Sequence, residues 1–118
     1  MVANIGRDEL KAKIDQGEHF VILEVLGPQY YRHSHLPGAI NLPPGKVDEM
    51  APTLLPDKDA EIVLYCWDEK GPTSQQAVRE LAAMGYTNVR DYVEGKQAWV
   101  AAGLPVEGRS RRARQRPS

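Results

Sequence analysis

The chain has 118 residues, which is enough for one domain with an ordinary hydrophobic core. Its apolar content of 42% and charged content of 26% are those of a water-soluble globular protein, and no apolar run approaches the roughly 20 residues that span a bilayer. The net charge of −1 includes five arginines and no acid in residues 109–118, which leaves −6 on the rest of the chain.

The basic segment at 109–118 has no apolar periodicity, and it predicts a disordered tail after a domain at 1–108. Such a segment is compatible with contact to nucleic acid or to an anionic surface. Charge runs alone are weak evidence for either, so we expect a solvated extension and neither a nucleic-acid nor a membrane partner. The acidic N-terminal stretch lacks the apolar core of a secretory signal, and a single cysteine fits a reducing compartment, so we expect a cytoplasmic protein.

Helical and β-rich segments alternate along the chain. In chain order, the pattern predicts a turn at 4–10 that enters a short helix ending near residue 17, strands at 20–25 and 39–42, a single helical turn at 45–50, a strand at 61–65, a helix at 73–84, a strand at 88–93 and a helix at 95–102. This alternation is typical of an α/β fold with a mainly parallel central sheet flanked by helices.

Cys66 is the only cysteine, and it follows the strand predicted at 61–65. A thiol at the carboxyl end of a parallel strand lies where α/β proteins place reactive groups. The helix predicted at 73–84 would direct its N-terminal dipole and free N–H groups at this region, which favours a thiolate. Taken alone, a cysteine after an apolar strand is more often a buried structural thiol. Both roles stay open on this evidence.

Three segments of the chain resemble the rhodanese family of sulfurtransferases. The string at 35–43, HLPGAINLP, is similar to the family's His-(Ile/Leu)-Pro-Gly-Ala-x-Asn-(Ile/Leu)-Pro signature. Residues 62–66 resemble its active-site strand and cysteine, and 95–106 resemble its closing Gly-Gly-x-x-x-Trp-x-x-x-Gly-(Leu/Phe)-Pro-Val segment. The resemblance covers about residues 5–107. It implies a single-domain rhodanese-like fold and a sulfurtransferase with Cys66 as nucleophile, without a cofactor or a metal.

The loop after Cys66 departs from the commonest family pattern. Catalytic members commonly have Cys-x-x-x-x-Arg, whereas Gly71 stands in the position of that Arg. The spacing is similar to a longer-loop subgroup with Cys-x4-(Cys/Gly)-x-x-Ser, in which Ser74 takes the last position. Pro72 stands where phosphatases of this topology have the Arg of Cys-x5-Arg, which argues against phosphate chemistry.

The resemblance implies that Cys66 takes a sulfane sulfur from a small anionic or persulfide donor and passes it, as a persulfide, to a thiol or cyanide acceptor. The substrate-binding residues that it implies lie in the loop and at the start of the next helix: Trp67, Asp68, Glu69, Lys70, Gly71, Thr73 and Ser74. A loop curled over Cys66 would direct its backbone N–H groups at the sulfur and stabilise both thiolate and persulfide. Two acids and one lysine leave the loop at −1, which predicts weak thiosulfate activity.

Glu24 and His35 are predicted to support the site from behind. Glu24 interrupts an apolar strand, and a buried acid there needs a partner, for which Lys70, Arg90 and the N–H groups of the loop are candidates. His35 is expected to stabilise a turn through a hydrogen bond.

Two functions of other classes remain open. One is a non-catalytic protein-interaction module on the same fold. The other is a redox sensor in which Cys66 forms a sulfenic acid or a mixed disulfide, and it would need an external thiol because the chain has no second cysteine.

Overall fold

Short strands and helices alternate to form a parallel sheet with helices on both faces. The computed structural model describes residues 3–109, and the predicted basic tail lies outside this range except for Arg109. The strands are β1 (Ala3–Asn4), β2 (Val21–Glu24), β3 (Ile40–Asn41), β4 (Ile62–Tyr65) and β5 (Val89–Asp91). The helices are α1 (Arg7–Asp15), α2 (Pro28–His33), α3 (Val47–Leu54), α4 (Thr73–Ala83) and α5 (Gly95–Ala101). The α/β architecture predicted from the sequence is confirmed.

The five strands form one sheet in the order β1-β5-β4-β2-β3, and all of the pairs are parallel. The central strand β4 is buried along its whole length, which explains why its sequence is apolar without alternation. Glu24 pairs with Tyr65, and Leu64 pairs with Asp91. This register brings the carboxyl ends of β2, β4 and β5 to the same edge of the sheet.

Each face of the sheet has its own apolar core. On one face α3 and α4 pack on the sheet through residues such as Val47, Val78 and Leu81. On the other face α1 and α5 pack around Tyr65, Tyr92 and Trp99. None of the helices within residues 3–109 has the length and the apolar character needed to cross a bilayer.

The structure differs from the predicted elements at three places. The single turn predicted at 45–50 is the longer helix α3, which continues past Pro52 and ends two residues later. Strand β1 and helix α2 were not predicted. No residue of α2 is buried, so its sequence carries no apolar periodicity, and its clearest helix signal is Pro28 at the first position.

Candidate active site

Cys66 lies directly after β4, below the loop that leads to α4. Cys66 is buried, with only 2% of its surface exposed to solvent. The Sγ atom is 3.4 Å from the hydroxyl oxygen of Ser74 in the first turn of α4. It is also 3.5 Å from the carbonyl oxygen of Asp68 and 3.5 Å from that of Gly71. All three neighbours accept hydrogen bonds, so this geometry suits a thiol that donates to one of them at a time.

The Asp68 side chain organises the loop. Its Oδ1 atom accepts hydrogen bonds from the backbone N–H of Lys70 at 3.0 Å and from that of Gly71 at 3.1 Å. The prediction that the loop N–H groups face the sulfur is therefore wrong for these two residues. The reason is local, because an Asp side chain readily bonds the backbone N–H groups two and three residues ahead of it.

Gly71 lies against the sulfur. A Cβ atom at this position would be 3.0 Å from the Cys66 Sγ, and nine in ten Cβ contacts in proteins are longer than this. A side chain of any size at position 71 would thus require the loop or the thiol to shift.

The other loop residues predicted to bind substrate differ in exposure. Trp67 is 47% exposed, Glu69 and Lys70 are exposed, and Ser74 is buried. The Thr73 hydroxyl donates to the carbonyl oxygen of Val25 at 2.9 Å, so it joins α4 to the end of β2.

Two depressions flank the loop. On one side Trp67 forms the wall of a cleft of about 530 Å³ together with Leu26, Tyr30 and His33. On the other side is a depression of about 300 Å³, lined by Asp68, Glu69, Glu94, Gln97, Ala98 and Ala101. The loop thus separates an aromatic cleft from an acidic surface.

The first turn of α5 packs beneath the loop. The backbone N–H groups of Lys96 and Gln97 donate to the carbonyl oxygens of Cys66 and Trp67 at 2.9 and 2.8 Å. Gly95 has φ +78°, and a Cβ atom there would lie 2.6 Å from the Trp67 carbonyl oxygen. Only glycine fits this close backbone contact.

Glu24 is fully buried and has two side-chain partners. The Tyr65 hydroxyl donates to its Oε1 at 2.6 Å, and the Lys96 ammonium lies 3.1 Å from its Oε2. The prediction that Lys70 or Arg90 pairs with Glu24 is therefore wrong. Arg90 instead forms ion pairs with Glu9 and Glu61.

Burial and the charge of Glu24 shift the pKa values of Tyr65 and Lys96. Burial raises the pKa of Tyr65 well above its ordinary value, and the negative charge of Glu24 adds to this. Burial lowers the pKa of Lys96, while Glu24 opposes that change. Because Lys96 also donates to the carbonyl oxygens of Ser34 at 2.6 Å and Tyr30 at 3.2 Å, it connects α5 to α2.

His35 stabilises the turn after α2, as predicted. Its Nδ1 lies 2.7 Å from the carbonyl oxygen of Tyr31, and the two rings stack at 3.8 Å. Its backbone pairs with Glu107 near the end of the described chain. His35 therefore supports the fold, and none of its hydrogen bonds joins it to Cys66 or to the loop.

Asp91 is a residue of the site that sequence reasoning missed. It ends β5, is 4% exposed, and its Oδ1 atom is buried with no hydrogen-bond partner among residues 3–109. Burial raises the pKa of Asp91, and the neighbouring hydroxyl of Ser74 opposes this change in part. No clear sequence signal marks it, because Asp91 follows Arg90 in β5 and does not interrupt an apolar run as Glu24 does.

Comparison with known proteins places these features in a family. Residues 6–102 match the model of the Rhodanese-like domain family. Thiosulfate sulfurtransferase PspE of Escherichia coli K12 is 39% identical over 74 residues, which make up 63% of this chain and 67% of that protein. Thiosulfate sulfurtransferase GlpE of Actinobacillus succinogenes is 32% identical over 92 residues, covering 78% of this chain and 79% of that protein.

A solved structure extends the likeness to the fold. The solution structure of the Rhodanese-like domain from the Anabaena sp. Alr3790 protein has a TM-score of 0.81 at 29% identity, and the match covers 100% of this chain and 86% of that chain. Some curated relatives are longer, and the chain spans 51%, 19% and 44% of the length of three of them.

Proposed function

The chain belongs to the rhodanese-like domain family, and we propose that it is a sulfurtransferase in which Cys66 carries a sulfane sulfur as a persulfide. One observation carries the proposal. Cys66, the only thiol of the chain, lies at the carboxyl end of the central strand with the first turn of α4 at 3.4 Å, and this is the edge of an α/β sheet where ligands bind.

The proposed reaction has two steps. The Cys66 thiolate attacks the sulfane sulfur of the donor, and a new S–S bond forms. The bond between that sulfur and the rest of the donor molecule breaks, and its electron pair leaves with the rest of the donor. A thiolate or cyanide then attacks the outer sulfur of the Cys66 persulfide, and the electron pair of that S–S bond returns to Cys66. No cofactor is required.

The surroundings of the loop support a persulfide donor over thiosulfate. The carboxylates of Asp68, Glu69 and Glu94 line the depression on one side of the loop, and they repel a dianion. The aromatic cleft beside Trp67 instead offers apolar surface to the organic part of a persulfide or thiol. We therefore propose weak activity with thiosulfate and faster transfer from an organic persulfide, in the cytoplasm, where an unpaired thiol stays reduced.

The proposal requires the loop to open. With the thiol 2% exposed and Gly71 against it, an incoming sulfur reaches Sγ only when residues 67–72 move. The substrate-binding roles of Trp67, Asp68, Glu69, Lys70, Gly71, Thr73 and Ser74 belong to this proposal, as do the supporting roles of Glu24 and His35.

Mass spectrometry of the intact protein tests the proposal. After incubation with glutathione persulfide or with thiosulfate, the wild-type chain is expected to gain the mass of one sulfur atom, more slowly with thiosulfate. Cys66→Ser is expected to gain none, and cyanide is expected to remove the added sulfur with formation of thiocyanate. Absence of the adduct with every donor would contradict the proposal.

A second function is favoured by the burial of the sulfur together with the exposure of the aromatic residues beside it. Tyr30 and Trp67 are 55% and 47% exposed, which suits a protein-interaction module that does not use its thiol. Such a module would capture the same partner with Cys66→Ala as with the wild type and would lose it with Trp67→Ala. A sulfurtransferase would instead lose sulfur transfer with Cys66→Ala, because the thiol carries the sulfur.

A further inference from the structure

Lys96 is buried in the first turn of α5, and only 2% of the residue is exposed. Its ammonium lies 3.1 Å from the Oε2 of Glu24 and donates to the carbonyl oxygens of Ser34 at 2.6 Å and Tyr30 at 3.2 Å. An ammonium carries three N–H donors, and these contacts use all of them. The side chain is therefore held in one position by a carboxylate of β2 and by two carbonyl groups, one in α2 and one in the residue that follows it.

Helix α2 depends on hydrogen bonds for its position. None of its residues is buried, and Tyr31 packs only partly buried against the core around Trp99. The Tyr31 hydroxyl donates to the carbonyl oxygen of Ala39 at 2.6 Å, and the Lys96 ammonium makes the two further bonds to this region. Loss of the ammonium would therefore leave the C-terminal half of α2 free to shift.

The first turn of α5 holds both walls of the aromatic cleft. The residues that line this cleft are Leu26, Tyr30, His33 and Trp67. Two of them belong to α2, which the Lys96 side chain holds in place. The opposite wall is held by backbone bonds, because the N–H of Lys96 donates to the Cys66 carbonyl oxygen and that of Gln97 donates to the Trp67 carbonyl oxygen. The two walls are thus joined through one turn of helix.

We propose that Lys96 sets the width of the aromatic cleft and thereby makes the site selective for organic persulfides that carry an apolar group. Trp67 follows Cys66 in the chain, so a group that packs against the Trp67 ring brings its attached sulfur to the loop over the thiol. No carboxylate is among the described residues that line the cleft, and its surface is almost entirely apolar, which suits an uncharged substituent.

Lys96 is thus a positioning residue, because its ammonium bonds Glu24, Tyr30 and Ser34 and acts on the substrate only through the walls of the cleft. The inference rests on the proposed function and names the substrate class of the same site. Its test does not depend on sulfur transfer, because alkylation of Cys66 also uses the thiolate and involves no sulfur donor.

The experiment compares two uncharged reagents, iodoacetamide and N-benzyl iodoacetamide, on Cys66, the only thiol of the chain. Both react with the same thiolate and reach it through the same loop, so the ratio of their rates reports what the cleft contributes to the apolar group. Free glutathione in the same buffer supplies the reference ratio. The wild type is expected to exceed this reference on the order of tenfold, because the benzyl ring leaves water when it enters an apolar cleft.

Lys96→Met is expected to bring the ratio close to the glutathione reference. The half-saturating concentration of N-benzyl iodoacetamide should rise by more than its maximal rate falls, since the variant changes the cleft and not the thiol. Lys96→Met combined with Glu24→Gln removes both buried charges, so it recovers stability without restoring the hydrogen bonds to α2. Its ratio is expected to stay as low as that of Lys96→Met.

Leu81→Ala is the matched control for a loss of stability alone. Leu81 is buried in the core of α3 and α4, on the opposite face of the sheet from α5, and its truncation leaves a destabilising cavity there. This variant is expected to keep the wild-type ratio. A ratio as low as that of Lys96→Met would show that lost stability alone removes the selectivity, and it would overturn the proposal.

The other outcomes are also decisive. A wild-type ratio equal to the glutathione reference, a wild type that reacts with neither reagent, or a wild-type ratio in both Lys96 variants would overturn the proposal. If Lys96→Met does not fold, the double variant decides. A ratio that falls as expected, in a protein that takes up no sulfur from any donor, would reject the proposed function and keep the role of Lys96. Sulfur transfer with an unchanged ratio would do the reverse.

Discussion

The Lys96 ammonium lies 3.1 Å from the Glu24 carboxylate, and the two side chains are 3% and 0% exposed. The same ammonium donates to the carbonyl oxygens of Ser34 and Tyr30. One buried cation therefore joins α5, β2 and the α2 region directly behind the candidate active site.

Lys96→Met is expected to destabilise the fold by about 3–5 kcal/mol, because it leaves the Glu24 carboxylate buried without its cation. Urea denaturation measures the change. Lys96→Met combined with Glu24→Gln is expected to cost less than Lys96→Met alone. Lys11→Met, which removes the exposed partner of Asp15, serves as control and is expected to cost at most about 1 kcal/mol. Equal losses for Lys96→Met and Lys11→Met would contradict the buried pair.

Gly95→Ala is expected to reduce the free energy of unfolding by more than the roughly 1–2 kcal/mol of a left-handed backbone alone. The excess comes from the added methyl group, which would lie 2.6 Å from the carbonyl oxygen of Trp67. Gly103→Ala is the matched control, since its φ of +74° is similar and no atom lies within 4 Å of its added Cβ. Urea denaturation measures both variants. Equal losses in the free energy of unfolding would contradict the close contact between Gly95 and the Trp67 carbonyl oxygen.

Asp91→Asn is expected to raise the melting temperature at neutral pH. Burial raises the pKa of Asp91 above its unfolded value, so its stabilising contribution is complete below about pH 3.9 and is lost as the pH rises through the folded value. The gain from the variant should therefore be largest near pH 7 and disappear toward pH 4. Thermal unfolding at both pH values measures it, and a variant that is less stable than wild type at pH 7 would exclude an unpaired buried carboxylate.

Asp68→Ala is expected to speed alkylation of Cys66, because the N–H groups of Lys70 and Gly71 lose their acceptor and the loop opens more readily. Asp68→Asn keeps an acceptor oxygen and is expected to react at a rate between those of wild type and Asp68→Ala. Glu69→Ala removes the same charge from an exposed neighbour, so equal rates for Glu69→Ala and Asp68→Ala would show that charge alone is responsible.

Gly71→Cys is expected to form a disulfide with Cys66 under mild oxidation. A Cβ atom at position 71 would lie 3.0 Å from the Cys66 Sγ, and bridged cysteines hold a Cβ and the opposite sulfur about 3 Å apart. Thiol titration of the oxidised protein should then find no free thiol, and a reductant should restore two. Two free thiols after oxidation would contradict the position of the loop over Cys66.

Much of the fold could be predicted because its signals are local. The apolar run of β4, the periodicity of α4 and the Gly85 that follows that helix are properties of neighbouring residues, and the predicted elements at these places are confirmed. Helix α2 was missed because its stability comes from contacts with distant parts of the chain. One such contact is the hydrogen bond that the Tyr31 hydroxyl donates to the Ala39 carbonyl oxygen.

The site could be predicted only in part. Cys66 and Ser74 follow from sequence position, since one ends a strand and the other begins a helix. The partner of Glu24 could not, because the residue that reaches it, Lys96, is 72 positions away and lies on another element. Asp91 joins the group only because β5 is next to β4 in the sheet.

The sequence by itself determined the βα order, the position of Cys66 at the end of a strand and the α/β class, because apolar periodicity and turn residues act over short distances. Only the tertiary structure decided that Lys96 pairs with Glu24, that the N–H groups of Lys70 and Gly71 bond Asp68 and not the sulfur, and that Asp91 is buried next to β4. Strand order and side-chain direction set these contacts, and both depend on how distant elements pack.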